Sequence, residues 1–151
     1  MKEIVAATDG SADSQAAVEE ALALAREADA EVTFVSVFRP PSALLGDPLY
    51  GRTLQHGLFE ARAAVDTAIS QAERMMVEAE GEVLEGDPAT EIVRLAVTRE
   101  ADLIVVGSRG HGPLTRAIVG SVSSTVIRDA PCPVMVVNDE TAKARTEEVW
   151  A

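Results

Sequence analysis

Apolar residues fall into two kinds of pattern along this 151-residue chain. Short unbroken runs, Ile4-Val5-Ala6-Ala7, Glu31 to Phe38, Val83-Leu84, Leu103 to Val106 and Pro133 to Val137, predict five strands. Between them, apolar positions return every three or four residues, as one face of a helix requires. Ala17, Val18, Ala21, Leu22, Ala25 and Ala28 form the first such stripe, and Ala61, Val65, Ala68, Ala72, Met75 and Ala79 the second. Ile92, Val93, Ala96 and Val97 form the third, opened by Asp87 as a cap and Pro88 at the first helical position. Val119, Val122, Val126 and Ile127 form the fourth. Arg39 to Gly57, with three prolines and three glycines, reads as a long surface loop. Residues 1–138 thus make one domain, and 139–151 a polar tail, loosely held or in a short helix.

Strand and helix alternate throughout, and the strands are apolar on both faces. That combination predicts an α/β fold, a doubly wound parallel sheet of five strands covered by helices on both sides, Rossmann-like. With right-handed crossovers and strand order 3-2-1-4-5, the reversal falls between the first and fourth strands. Ligands of such sheets bind outside the carboxyl ends of the strands at that reversal. The segments expected to emerge there are Thr8-Asp9-Gly10 and Gly107-Ser108-Arg109-Gly110.

The second segment opens the stretch GSRGHGPLTRAIVGSVSS, Gly107 to Ser124, which joins a strand to a helix through glycines. Gly107 and Gly110 leave backbone amides uncovered, and Gly120-Ser121 stands where the helix should begin, with Ser121 itself a candidate cap. Loop amides and a helix N-terminus together favour an anion, phosphate foremost. Charge agrees. Leu103 to Arg128 holds Arg109, Arg116 and Arg128 and no acid, a net +3 in a chain of −12, which leaves −15 elsewhere. An acidic chain of this kind is not expected to take nucleic acid or an anionic membrane as its main partner.

Composition narrows the remaining classes. Hydrophobic residues make up 47% and aromatics only 3%, so the core is expected to be aliphatic. No run approaches the roughly 18 apolar residues of a membrane-spanning helix, and no signal peptide is visible at Met1-Lys2-Glu3-Ile4. The single Cys132, between two prolines, suits a reducing cytoplasm and reads as a small apolar residue rather than a reactive thiol. His56 and His111 lie in expected loops without a partner at metal-ligand spacing.

Gly107, two residues, Gly110, nine residues and then Gly120-Ser121 match the ATP-binding pattern of the universal stress protein family. Thr8-Asp9-Gly10-Ser11, Gly86-Asp87-Pro88, Asp102 to Gly107 and Pro131-Cys132-Pro133-Val134 resemble that family's other hallmarks in the same order, from about Lys2 to Asn138. The resemblance implies ATP as ligand and a homodimer paired through the last strand, 133–137. It also implies that Gly107, Gly110, Gly120 and Ser121 hold the phosphates and ribose. Ser108 and Arg109 would line the same loop, and Val122 and Ser123 continue it. Ala7, Thr8 and Val37 would bracket the adenine, and Asp9 would face the nucleotide or its Mg²⁺. Ala7 stands where proline is frequent in the family, and Ser123 where threonine also occurs.

Several functions fit these residues. A regulatory or stress-response protein would act through ATP occupancy and contacts with a partner. A slow ATPase, or an enzyme phosphorylating itself on Ser121 or Ser123, would need a positioned metal and an oriented nucleophile, yet the motif holds no evident general base. Neither a GxxxxGK P-loop nor a GxGxxG fingerprint after the first strand is present, which disfavours a P-loop motor and NAD. A cyclic nucleotide would use the same adenine and ribose pocket. A dimerisation module with an empty site is the remaining reading.

Overall fold

The computed structural model describes residues 1–42, 46–108 and 120–140. Its strands are β1 (Glu3–Ala7), β2 (Glu31–Phe38), β3 (Ala79–Glu85), β4 (Leu103–Gly107) and β5 (Val134–Val137). They form one parallel sheet in the order β3-β2-β1-β4-β5, as the alternation of patterns predicts. The helices are α1 (Ala12–Ala28), α2 (Asp47–Arg74), α3 (Pro88–Thr98) and α4 (Ser121–Asp129).

The apolar residues of each strand divide between two cores. Ile4, Ala6, Val32, Phe34, Leu103 and Val105 pack under α1 and α2. Val5, Val35, Ile104 and Val106 pack under α3 and α4. This explains why the central strands lack polar alternation: both faces are removed from water.

Helix starts follow local chemistry. Ser11 caps α1, its hydroxyl accepting from the Ser14 amide at 3.3 Å, and Asp87 caps α3 by accepting from the Thr90 amide at 3.1 Å. The Thr90 bonds are the largest influence on the Asp87 carboxyl and hold it below the usual carboxylate range, with Arg39 adding a smaller pull. On α1 the expected face is buried from Ala17 to Ala25, whereas Ala28 is exposed. On α3 the stripe is rotated, so that Leu95 is buried and Val97 is 58% exposed. On α4 Val126 is buried but Ile127 is half exposed, and Val119 lies outside the described residues.

The expected loop over Arg39 to Gly57 is corrected by the structure. α2 already begins at Asp47, with Pro48 in its first turn. Proline suits that position because its missing N–H would have no partner there anyway. Leu54, Leu58, Ala61 and Val65 then continue one stripe, and Gly51 and Gly57 are carried inside the helix at a cost that the other residues meet. The helix also stops earlier than its stripe suggests. Met75 caps it, and Ala79 opens β3, which is longer than Val83-Leu84 alone predicts. Glycine helps β3 fit: a Cβ at Gly81 would stand 2.3 Å from Val65 Cγ1 on α2.

The two outer strands differ in kind. β3 carries Glu80, Glu82 and Glu85, and Arg99 on the residue capping α3 pairs with the first two at 2.6 and 3.0 Å. β5, Val-Met-Val-Val, has no charge. Pro133 precedes it, and its carbonyl accepts from Ile104 N–H at 3.0 Å. Among the described residues no helix is long and apolar enough to cross a membrane.

Two substitutions test this packing. Gly51, helical and with nothing within 4 Å of a Cβ, should gain about 1 kcal/mol of stability as Gly51→Ala. A loop at this position would give no gain in chemical denaturation. At Gly107 a Cβ would stand 2.8 Å from Asp13 C and Ser14 N in the backbone of α1. Gly107→Ala should therefore lose about 1–3 kcal/mol by overpacking, read in the same assay; an unchanged midpoint would contradict that contact.

Candidate functional site

The reversal of strand order places the carboxyl ends of β1 and β4 side by side, with Ala6 in register with Val105. Ala7 closes β1, and Thr8 continues it, its N–H donating to Val35 O at 2.9 Å. Thr8 is buried and Asp9 exposed. Asp9 Oδ1 accepts from Ser11 N–H at 2.9 Å, while Asp9 N–H donates to Ser14 Oγ at 3.3 Å. Asp9 is thus a turn former at the entrance to α1, and its carboxylate stands at the mouth of the crevice.

β4 ends at Gly107, Ser108 follows it, and Gly120 stands before α4. Gly120 N–H donates to Ser108 O at 2.7 Å, so these residues form a neck. A second tie lies beside it, from Ser123 Oγ–H to Gly107 O at 2.6 Å. The space left by the missing side chain of Gly107 is taken by the first turn of α1.

Beyond the neck, α4 starts on Gly120, which offers no side-chain cap. The cap is glycine, and Ser121, expected as a candidate cap, is the first helical residue and is exposed. α1 and α3 satisfy their first amides with Ser11 and Asp87. At α4 the amides of Ser121, Val122 and Ser123 have no partner within the helix, because only from the fifth residue does an N–H meet a carbonyl four back. The first such bond runs from Ser124 N to Gly120 O at 3.0 Å. Three donors and the positive end of a helix dipole therefore stand together at the start of α4, an arrangement that can receive an anion.

Beside this end lies an apolar patch. Ala7, Val37 and Val122 are partly buried members of the core under α3 and α4, contributed by β1, β2 and α4. The structure brings together Ala7, Thr8, Asp9, Gly107, Ser108, Gly120, Ser121, Val122 and Ser123 around the β1–β4 crevice, with Val37 two residues beyond the β1 register on β2. Arg109, Gly110, His111 and Arg116 lie outside the described residues, as does Trp150. Arg128 does not join the group. It sits in the last turn of α4, about 10 Å along the helix from Ser121, and pairs with Asp129 at 2.9 Å. The positive charge read over Leu103 to Arg128 is therefore not all at the crevice.

Two residues that sequence reasoning passed over stand behind the neck. Asp13, 5% exposed, accepts from Ser108 Oγ–H at 2.7 Å and from Asp139 N–H at 3.0 Å. Asn138 Nδ2–H approaches Ser108 Oγ at 3.4 Å. The signal for Asp13 was its phase: it lies four residues before Ala17 and eight before Ala21, on the buried stripe of α1. A carboxylate in such a stripe needs partners.

Among the described residues no group of three or more His, Cys, Asp or Glu side chains is placed to hold a metal. Asp9 is the one carboxylate at the crevice mouth among the site residues. One carboxylate suits Mg²⁺ only when phosphates and water complete its shell, so the donor set fits a metal arriving with a nucleotide rather than a resident one.

Comparison with known proteins gives the same fold a family. The model of the universal stress protein family matches residues 1–138. A universal stress protein of Methanocaldococcus jannaschii is 42% identical over 139 residues, which cover 90% of this chain and 81% of that protein. A universal stress protein of Archaeoglobus fulgidus, solved in complex with dAMP, superposes with a TM-score of 0.67 at 25% identity, covering 91% of this chain and 97% of that one. A universal stress protein solved in complex with cAMP gives a TM-score of 0.69 at 25% identity, covering 90% of this chain and 96% of that one. With a family model matched over residues 1–138 and a relative 42% identical over 139 residues, the chain belongs to the universal stress protein family.

Proposed function

We propose that this protein binds an adenine nucleotide, ATP with Mg²⁺ in particular, in the crevice between β1 and β4, and acts in stress response through occupancy of that site. The observation that carries the reading is the start of α4: an uncapped helix N-terminus at the topological switch point, held there by the Ser108–Gly120 neck. Phosphate would take the amides of Ser121, Val122 and Ser123, with Gly107, Ser108, Arg109, Gly110 and Gly120 forming the surrounding loop. Ala7 and Val37 offer the apolar surface that an adenine ring needs, and Thr8 would close its edge. The universal stress proteins solved with dAMP and with cAMP support an adenylate as the ligand.

Asp9 would meet the metal or the ribose at the mouth. Ser123 Oγ–H is already donated to Gly107 O and the side chain is buried, whereas the Ser121 hydroxyl is exposed. Of the two hydroxyls, Ser121 is thus the one open to phosphorylation. Binding rather than rapid turnover is the function we assign.

The uncharged edge of β5 supports a second part of the reading, a homodimer paired through 133–137. An edge strand exposes a row of backbone donors and acceptors, and proteins commonly protect one with charge, as β3 does with its glutamates. β5 has Val134, Met135 and Val136 partly exposed and no such protection. A two-fold axis at this edge would pair the strand with its own copy. A cytoplasmic setting accords with the lone Cys132.

Two measurements test the reading. Ser121→Asp puts a negative charge on the exposed first residue of α4, which the helix dipole tolerates but a phosphate does not. ATP affinity in titration calorimetry should fall by at least about tenfold with the unfolding midpoint unchanged or raised; equal affinity would remove phosphate from this end of α4. Val136→Lys should convert a dimer to monomers in sedimentation, and a wild-type sedimentation profile in the variant would exclude β5 as the interface.

A further inference from the structure

Ser108 uses every polar group it has. Its N–H donates to Val137 O at 2.8 Å, its carbonyl accepts from Gly120 at 2.7 Å, and its hydroxyl donates to Asp13 and receives Asn138. The residue is a joint between the ends of β4 and β5 and the beginning of α4. What sets the joint's rotation is its side chain, and what holds that side chain is the buried carboxylate of Asp13.

Asp13 stands where the α1 stripe otherwise carries alanine, at Ala17, Ala21 and Ala25. An acid in the first turn of α1 suits the helix dipole, but that holds for an exposed acid as well and gives no reason to bury this one. A buried carboxylate is costly to desolvate, and apolar packing commonly serves a fold as well or better. Nor does direct attraction explain it, since a negative charge behind an anion site repels the anion. The remaining role is geometric. Both carboxylate oxygens are engaged, by Ser108 Oγ and by Asp139 N, and the Asp13–Ser14 peptide itself abuts Gly107. α1 is thereby fixed against the neck from which the first turn of α4 is hung.

We infer that Asp13 is a positioning residue for the nucleotide site, acting through Ser108 to hold the free amides of α4 where a phosphate can meet all of them at once. The inference rests on the proposed phosphate site and adds to it the residue that sets its geometry. Hydrogen bonds to an anion depend steeply on distance and angle, so a small rotation of Ser108 would weaken several contacts together.

The test uses the full chain, titrated with MgATP and separately with adenosine, as wild type, Asp13→Asn, Ser108→Ala and the double variant. Asn leaves one acceptor for two donors at Asp13, while Ala removes the Ser108 hydroxyl. Each single variant should bind MgATP roughly ten- to a hundredfold more weakly, the scale of one charge-assisted bond, with adenosine affinity unchanged within about twofold. The double variant should be no weaker than the singles, since both break one link. Amide exchange in the free protein should rise at Gly120 in both. Unchanged or tighter MgATP binding in Asp13→Asn overturns the inference, because loss of charge alone would tighten it. Equal loss of MgATP and adenosine together with a lowered unfolding midpoint also overturns it, leaving a purely structural network. If Asp13→Asn does not fold, Ser108→Ala decides alone. A wild type that binds neither ligand overturns the site itself, an outcome distinct from a binding wild type with indifferent variants.

Discussion

The contact on which the site depends is that between Gly107 and the first turn of α1. A side chain at Gly107 would collide with the α1 backbone at 2.8 Å, so only glycine lets α1 pack this tightly against the end of β4. Close packing brings Asp13 to Ser108, and Ser108 then reaches Val137 and Gly120. The end of β5 and the start of α4 are consequently placed by one residue. Without that approach, the start of α4 would lose its link to α1 and keep only the Ser123–Gly107 bond and the packing of Val126 to hold it.

The chain treats its helix ends differently: α2 and α4 both start on glycines without a side-chain cap, and of these two α4 is the one at the switch point between β1 and β4. α1 and α3 quench their first amides with Ser11 and Asp87, which stabilise the helices and leave little for a ligand. α4 keeps its amides open and secures itself instead through the Ser108–Gly120 and Ser123–Gly107 bonds. Those bonds use groups outside the set that an anion would need. Stability and vacancy are thereby obtained from separate atoms, which is what a binding site on a helix N-terminus requires.

Much of this was legible in the residues. The apolar runs are long enough and the helical stripes regular enough to fix element order, and parallel pairing with right-handed crossovers then leaves the switch point between β1 and β4. The glycine spacing and Gly120-Ser121 locate the helix start to within one residue. Two things were hidden. The first half of α2 contains Pro48, Gly51 and Gly57, whose local preference for turns is overridden in a helix that continues into the buried stripe of Ala61, Val65 and Ala68. Asp13 was hidden because its partners, Ser108 and Asp139, are far away in sequence and meet it only in the folded chain. A polar residue in phase with a buried stripe was the available clue.

The most direct measurement is amide chemical-shift mapping of the labelled protein during titration with MgATP. The largest shifts are expected at Ser121, Val122 and Ser123, followed by Ser108, Gly120 and the Ala7 to Asp9 turn, and they should saturate together. Shifts confined to other parts of the sheet, such as the glutamate-rich edge of β3, or no shifts at saturating nucleotide, would contradict the assignment of α4 as the phosphate-binding end.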